Sequence, residues 1–126
     1  KGKYKIGDLF YRKDKVKKLK CLINKRIIKK NFAWCDDSES KFYNRLVKLR
    51  KKNNFNFEKL FRKDFKYNYL IPIKYNFHNT IKNKGSAIFI HLTKDYKPTK
   101  GCIALKEKDF VILSKLISKK TNISIV

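Results

Sequence analysis

The clearest helical repeat in this chain is confined to KEKDFVILSKLISKK near its end, and short extended segments dominate everything upstream. In that stretch Phe110, Leu113, Leu116 and Ile117 fall on one face. Acidic residues occupy the first turn and lysines the last, so a helix over about 106–119 is expected. The remainder comes in apolar, β-branched or aromatic pieces cut by asparagine, glycine and lysine. The fold class is therefore mainly β with one C-terminal helix and short helical turns.

Along the chain, KYKIGDLFY suits a strand with a bend at Gly7, and LKCLINKRIIKK gives two β-prone stretches around Asn24. NFAWCDDSESKFYNRLVKL reads as a loop with an aromatic and acidic core, in which Ser38 and Glu39 open a helical turn. RKKNNFNFEKLFRKD reads as a basic connector with a short helix over 57–62. YNYLIPIKYN is a strand interrupted by Pro72, which predicts an edge position or a bulge. HNTIKNKG is a turn, SAIFIH a buried strand and TNISIV a closing strand. No repeat or low-complexity linker divides the chain, so its 126 residues make a single domain.

The formal charge of +24 has two readings. One is attraction to a polyanion such as nucleic acid, an acidic membrane surface or an anionic wall polymer. The other is the codon usage of an AT-rich genome, because lysine far outnumbers arginine while nucleic-acid readers lean on arginine. The sequence shows no transmembrane run and no signal peptide, and it opens at Lys1 as the middle of a domain would.

Cys21, Cys35 and Cys102 leave at least one thiol outside any disulfide. Cys21 and Cys35 are either a pair formed in an oxidising compartment or two buried thiols. No CxxC or HxxxH spacing supports a metal site, and His78 is remote from the cysteines.

The chemistry concentrates in GSAIFIHLTKDYKPTKGCIAL. An apolar strand delivers His91, a polar loop follows, and the loop ends on Gly101-Cys102. A thiolate nucleophile, an imidazole to take its proton and a small neighbour for the attacked carbonyl are what thiol-based acyl transfer requires. A strand with a returning loop would bring the two side chains together. Lys97 and Lys100 would favour the thiolate by nearby positive charge. On residue types alone, a buried structural cysteine with a histidine at a strand end is the commoner arrangement, and a lone Cys–His pair is a weak signal.

PTKGCIAL, followed by KEKDFVILSKLI and TNISIV, resembles the active-site block of the L,D-transpeptidase (YkuD) family. His91, Thr99, Gly101, Cys102, Ile103, Leu105 and Asp109 fall on that pattern in order. WCDD at 34–37, Tyr43-Asn44, the Tyr75-Asn76 strand end and GSAIFIH are similar to a compact proteobacterial subgroup, and KGKYKIG to the stretch after the family's TP. By that alignment the first strands of the catalytic domain are missing here. Departures are Lys100 where histidine is common, Ala104 where arginine is common, and Leu92 where glycine or serine is frequent.

The resemblance implies a sandwich of mixed strands and a periplasmic or envelope enzyme that needs no cofactor. Its partners would be peptidoglycan stem peptides, with no specific nucleic acid, and it would act as a monomer. Cys102, activated by His91, would attack a diaminopimelate carbonyl of a donor stem and expel the terminal D-alanine. The thioester would then pass to an amine of an acceptor stem; water would give carboxypeptidase activity instead. Gly101 and Cys102 N–H groups would hold the oxyanion, with Thr99, Lys100 and Ser86 supporting the loop.

Arg12, Arg62 or nearby lysines would take the substrate carboxylate in place of the residues that depart from the family pattern. Trp34, Asp36, Asp37, Tyr43, Asn44 and Asn76 form a second constellation, either for the acceptor or for loop hydrogen bonds and salt bridges. Readings from other classes are a basic nucleic-acid-binding module, a catalytically inert wall-binding domain, and a hydrolytic cysteine peptidase or amidase.

Overall fold

The computed structural model of the chain describes residues 2–96 and 102–125. Ten strands and one helix occur among them: β1 (Gly2–Lys5), β2 (Leu9–Tyr11), β3 (Lys25–Ile27), β4 (Phe32–Cys35), β5 (Arg45–Lys48), β6 (Phe57–Lys59), β7 (Tyr69–Pro72), β8 (Phe89–Leu92), β9 (Ile103–Leu105), α1 (Glu107–Leu116) and β10 (Asn122–Ile125). A five-stranded mixed sheet in the order β3-β2-β7-β8-β9 forms the centre. A three-stranded sheet β5-β4-β6 and a two-stranded ribbon β1-β10 complete the fold. The mainly β expectation holds, as does the single C-terminal helix.

The period of two in the central strands divides the core. Leu9, Tyr11, Tyr69, Ile71, Ile90 and Leu92 face one side, where they pack with Phe110 of α1. Phe10, Leu70 and Phe89 face the other, where Phe32 and Trp34 of β4 and Leu60 cover them. The central strands are buried on both faces, so their sequence is apolar without clean alternation.

Several sequence expectations give way to this packing. Pro72 does not mark an edge, because β7 lies between β2 and β8. It is tolerated there as the last residue of the strand, opposite Phe89, with its carbonyl accepting the Gly7 N–H at 2.7 Å. The stretch 57–62 is not helical. Phe57–Lys59 pairs with β4, where the cross-strand partners supply more burial than an isolated short helix would.

The loop read over 31–49 is instead a pair of antiparallel strands, β4 and β5, joined by turns, and the turn at Ser38 and Glu39 is not helical. Of the two β-prone stretches around Asn24, only Lys25–Ile27 is a strand. On α1, Leu116 is 77 % exposed. The buried stripe is Phe110, Ser114 and Ile117, with Leu113 packed beside it, and Ile117 caps the helix.

Candidate active site

The strand order of the central sheet sets His91 and Cys102 on one face of neighbouring strands. β8 and β9 are parallel neighbours, so the segment after Leu92 must return to the start of β8 before β9 begins. Ile90 pairs with Ile103, which sets Cys102 level with Phe89 on the same face as His91. Their backbone positions are thus one strand (about 4.8 Å) across and two residues (about 6.6 Å) along from each other. Both face the gap between the five- and three-stranded sheets.

The ring of His91 is 9 % exposed, and its Nδ1 lies 2.9 Å from the Leu92 carbonyl. A carbonyl only accepts, so Nδ1 carries the hydrogen and Nε2 keeps its lone pair. Burial, with the Lys66 and Arg62 charges adding to it, holds the imidazole pKa below its ordinary value despite that hydrogen bond and the opposing Glu58 charge. His91 is therefore a neutral base at neutral pH.

Cys102 is half-buried, and its thiol donates to the Ala87 carbonyl at 3.4 Å. Burial pushes the thiol pKa up. A backbone hydrogen bond from Phe89 opposes this, and the Glu58 charge adds to it. The described surroundings thus favour the neutral thiol, opposite to the thiolate expected from Lys97 and Lys100. Those lysines lie outside the described residues, as do Thr99 and Gly101. Ser86 is half-buried just before Ala87.

The second constellation is a scaffold behind this pair. Asn44, itself left-handed at φ 59° and 3 % exposed, accepts at Oδ1 from Trp34 Nε1 (2.9 Å) and from the Ala87 N–H (3.2 Å). Its Nδ2 donates to the carbonyls of Tyr75 (2.9 Å) and Asn76 (2.8 Å). Asn76 in turn ties the following turn through Ile81 and Gly85, and the Tyr43 hydroxyl accepts from the Gly85 N–H at 3.2 Å. Ala87 is held at φ 54°, a conformation unfavourable for alanine, so this network aims its carbonyl at the Cys102 sulfur.

Asp37 bonds the N–H groups of Glu39 and Asn56 in its own loop, whereas the Asp36 side chain is exposed. Arg12 is 4 % exposed and turned inward, bonded to Asp14 and to the Arg62 carbonyl and stacked on Phe61. Arg62 is nearer the pair: it is bonded to Asp64 and lies over the Tyr67 ring at 4.8 Å. Cys21 and Cys35 form no disulfide. The Cys21 sulfur contacts the Ile23 carbonyl, and Cys35 is fully buried in β4.

Two neighbours of the pair escape a reading of residue types along the chain. The Tyr67 ring packs edge-on against His91 (5.5 Å) and Phe89 (5.7 Å), and its hydroxyl donates to Glu58 Oε2. Glu58 pairs with Trp34 across β4 and β6, so it points from the facing sheet into the same gap. The alternation of FNFEK alone would set Glu58 on the polar face with Asn56, and only the pairing of 57–59 with β4 opposite Trp34 turns it inward. A cleft of about 340 Å³ lined by Phe10, Arg26, Trp34, Arg45 and Phe77 lies elsewhere and contains neither His91 nor Cys102.

A small β-sandwich that gathers a thiol and a neutral imidazole at one gap between its sheets has the form of an acyl-transfer domain. The family model of the L,D-transpeptidase catalytic domain (YkuD) matches residues 1–125, and the chain belongs to that family of enzymes acting on peptidoglycan in the cell envelope. No curated protein and no solved structure gave a significant match. No helix among the described residues is long and apolar enough to cross a membrane.

Proposed function

We propose that the chain is the catalytic domain of a periplasmic L,D-transpeptidase that joins peptidoglycan stem peptides through a thioester on Cys102. The observation that carries this is the shared face of His91 and Cys102 on adjacent parallel strands, in a chain matched by the family over 1–125.

A neutral thiol beside a neutral imidazole favours deprotonation in step with attack over a preformed ion pair. His91 Nε2 takes the thiol proton as sulfur bonds to the donor carbonyl carbon. The collapsing intermediate expels the terminal amine, which leaves with the proton from His91. Backbone N–H groups at Gly101 and Cys102 hold the oxyanion. Arg62 and Lys66, whose charges reach His91, suit the donor's carboxylate better than the inward-turned Arg12. The amine of an acceptor stem then displaces the sulfur.

The test supplies purified donor and acceptor stems and follows products by mass spectrometry. Cross-linked dimer is expected from the unsubstituted chain, with a loss of about 10³-fold or more in Cys102→Ser and about 10²–10⁴-fold in His91→Ala. Equal product from Cys102→Ser would sink the reading. Release of the terminal residue without dimer would mark a hydrolase.

A further inference from the structure

We infer that Glu58 is the anchor for the primary ammonium of the acceptor stem, and so the residue that sets transfer against hydrolysis. This rests on the function proposed above. Glu58 is half-buried and projects from β6 toward the gap that holds His91 and Cys102. The Tyr67 hydroxyl fixes its Oε2, and Tyr67 is itself wedged against His91.

In a chain with 34 lysines and arginines, no cationic side chain among the described residues forms an ion pair with Glu58. Arg62 is near enough to feel its charge, yet its guanidinium is bonded to Asp64. A carboxylate placed here raises the thiol pKa, which does not help to form the nucleophile. It does favour a cation arriving beside the sulfur, and the second half-reaction brings one in: an amine that is protonated at neutral pH.

The chemistry balances. The bound ammonium gives one proton to solvent, and the neutral amine attacks the thioester carbonyl. The C–N bond forms and the C–S bond breaks. The second amine proton passes to His91 Nε2 and then to the departing Cys102 sulfur, which restores the thiol. Water bears no cation and makes no use of Glu58, so the residue favours amine over water.

Two measurements decide it. With donor and acceptor stems, Glu58→Gln is expected to acylate Cys102 no more slowly than the unsubstituted chain, because the charge that raises the thiol pKa is gone. The ratio of cross-linked to hydrolysed product should fall about 10-fold, the effect of losing one charge-assisted bond, with partial recovery in Glu58→Asp. An unchanged ratio, or acylation and cross-linking falling in parallel, overturns the inference.

In a Cys102→Ala background, where no acyl transfer occurs, the acceptor stem alone should bind about 10-fold more weakly once Glu58→Gln is added. Equal affinity overturns the inference whatever the acyl chemistry. Failure of the unsubstituted chain to acylate Cys102 tells against the proposed transpeptidase alone.

Discussion

Asn44 is connected at both ends of its amide: to Trp34 and Ala87 through oxygen, and to the Tyr75 and Asn76 carbonyls through nitrogen. Asn44→Ala leaves those buried groups without their partner. Urea unfolding is expected to show a loss of about 2–4 kcal/mol. The Cys102 alkylation profile should also shift, because the Ala87 carbonyl loses its anchor. A change below about 0.5 kcal/mol would mean that the network does not hold the loop.

His91 makes the second residue-scale prediction. Its native pKa lies below the unfolded one, so its contribution to stability is present above the unfolded value, about 6.5, and is lost as pH falls through the native one. In the proposed mechanism the same neutral imidazole is the general base. The acid limb of kcat/KM should therefore have its midpoint below about 6.5, and a midpoint above that value would contradict the buried, neutral imidazole.

Among the elements, α1 separates what is packed from what only resembles packing. Phe110 is fully buried and stacks on Tyr69 at 5.4 Å, whereas Leu116 is 77 % exposed. Phe110→Ala is expected to cost about 3–5 kcal/mol in urea unfolding, and Leu116→Ala less than about 0.5 kcal/mol. Comparable losses would place Leu116 in the core. The helix was legible because Phe110, Leu113 and Ile117 repeat at its period; the apolar Leu116 widened the inferred face because composition carries no sign of which neighbour covers it.

Strands were harder to read. Three-residue β6 has no pattern of its own and exists through its pairing with β4, a long-range contact invisible to local periodicity. Pro72 misled because its penalty depends on whether its nitrogen faces a partner, and at the end of β7 that constraint is relaxed. Glu58 and Tyr67 were missed with β6, since their meeting depends on two sheets facing each other.

At the scale of the molecule, the lysines and arginines of the described residues lie outside both cores, and Arg12 is the one among them that is buried. Among the described residues, His91, Cys102, Glu58 and Tyr67 border the gap between the two larger sheets. His91 and Cys102 were legible from the strand, the polar loop and the Gly-Cys ending. Trp34, Tyr43, Asn44 and Asn76 were named with two roles open, acceptor binding or loop hydrogen bonds, and they brace the Ala87 turn through the second.

The central claim is that Cys102 is the nucleophile, and intact-mass analysis tests it most directly. The chain is mixed with a donor stem in the absence of acceptor, quenched in acid and mapped by peptide. The expected result is an acyl group on Cys102, with loss of the donor's terminal residue and no adduct in Cys102→Ser. An adduct on another residue, or turnover that persists in Cys102→Ser, would contradict the account.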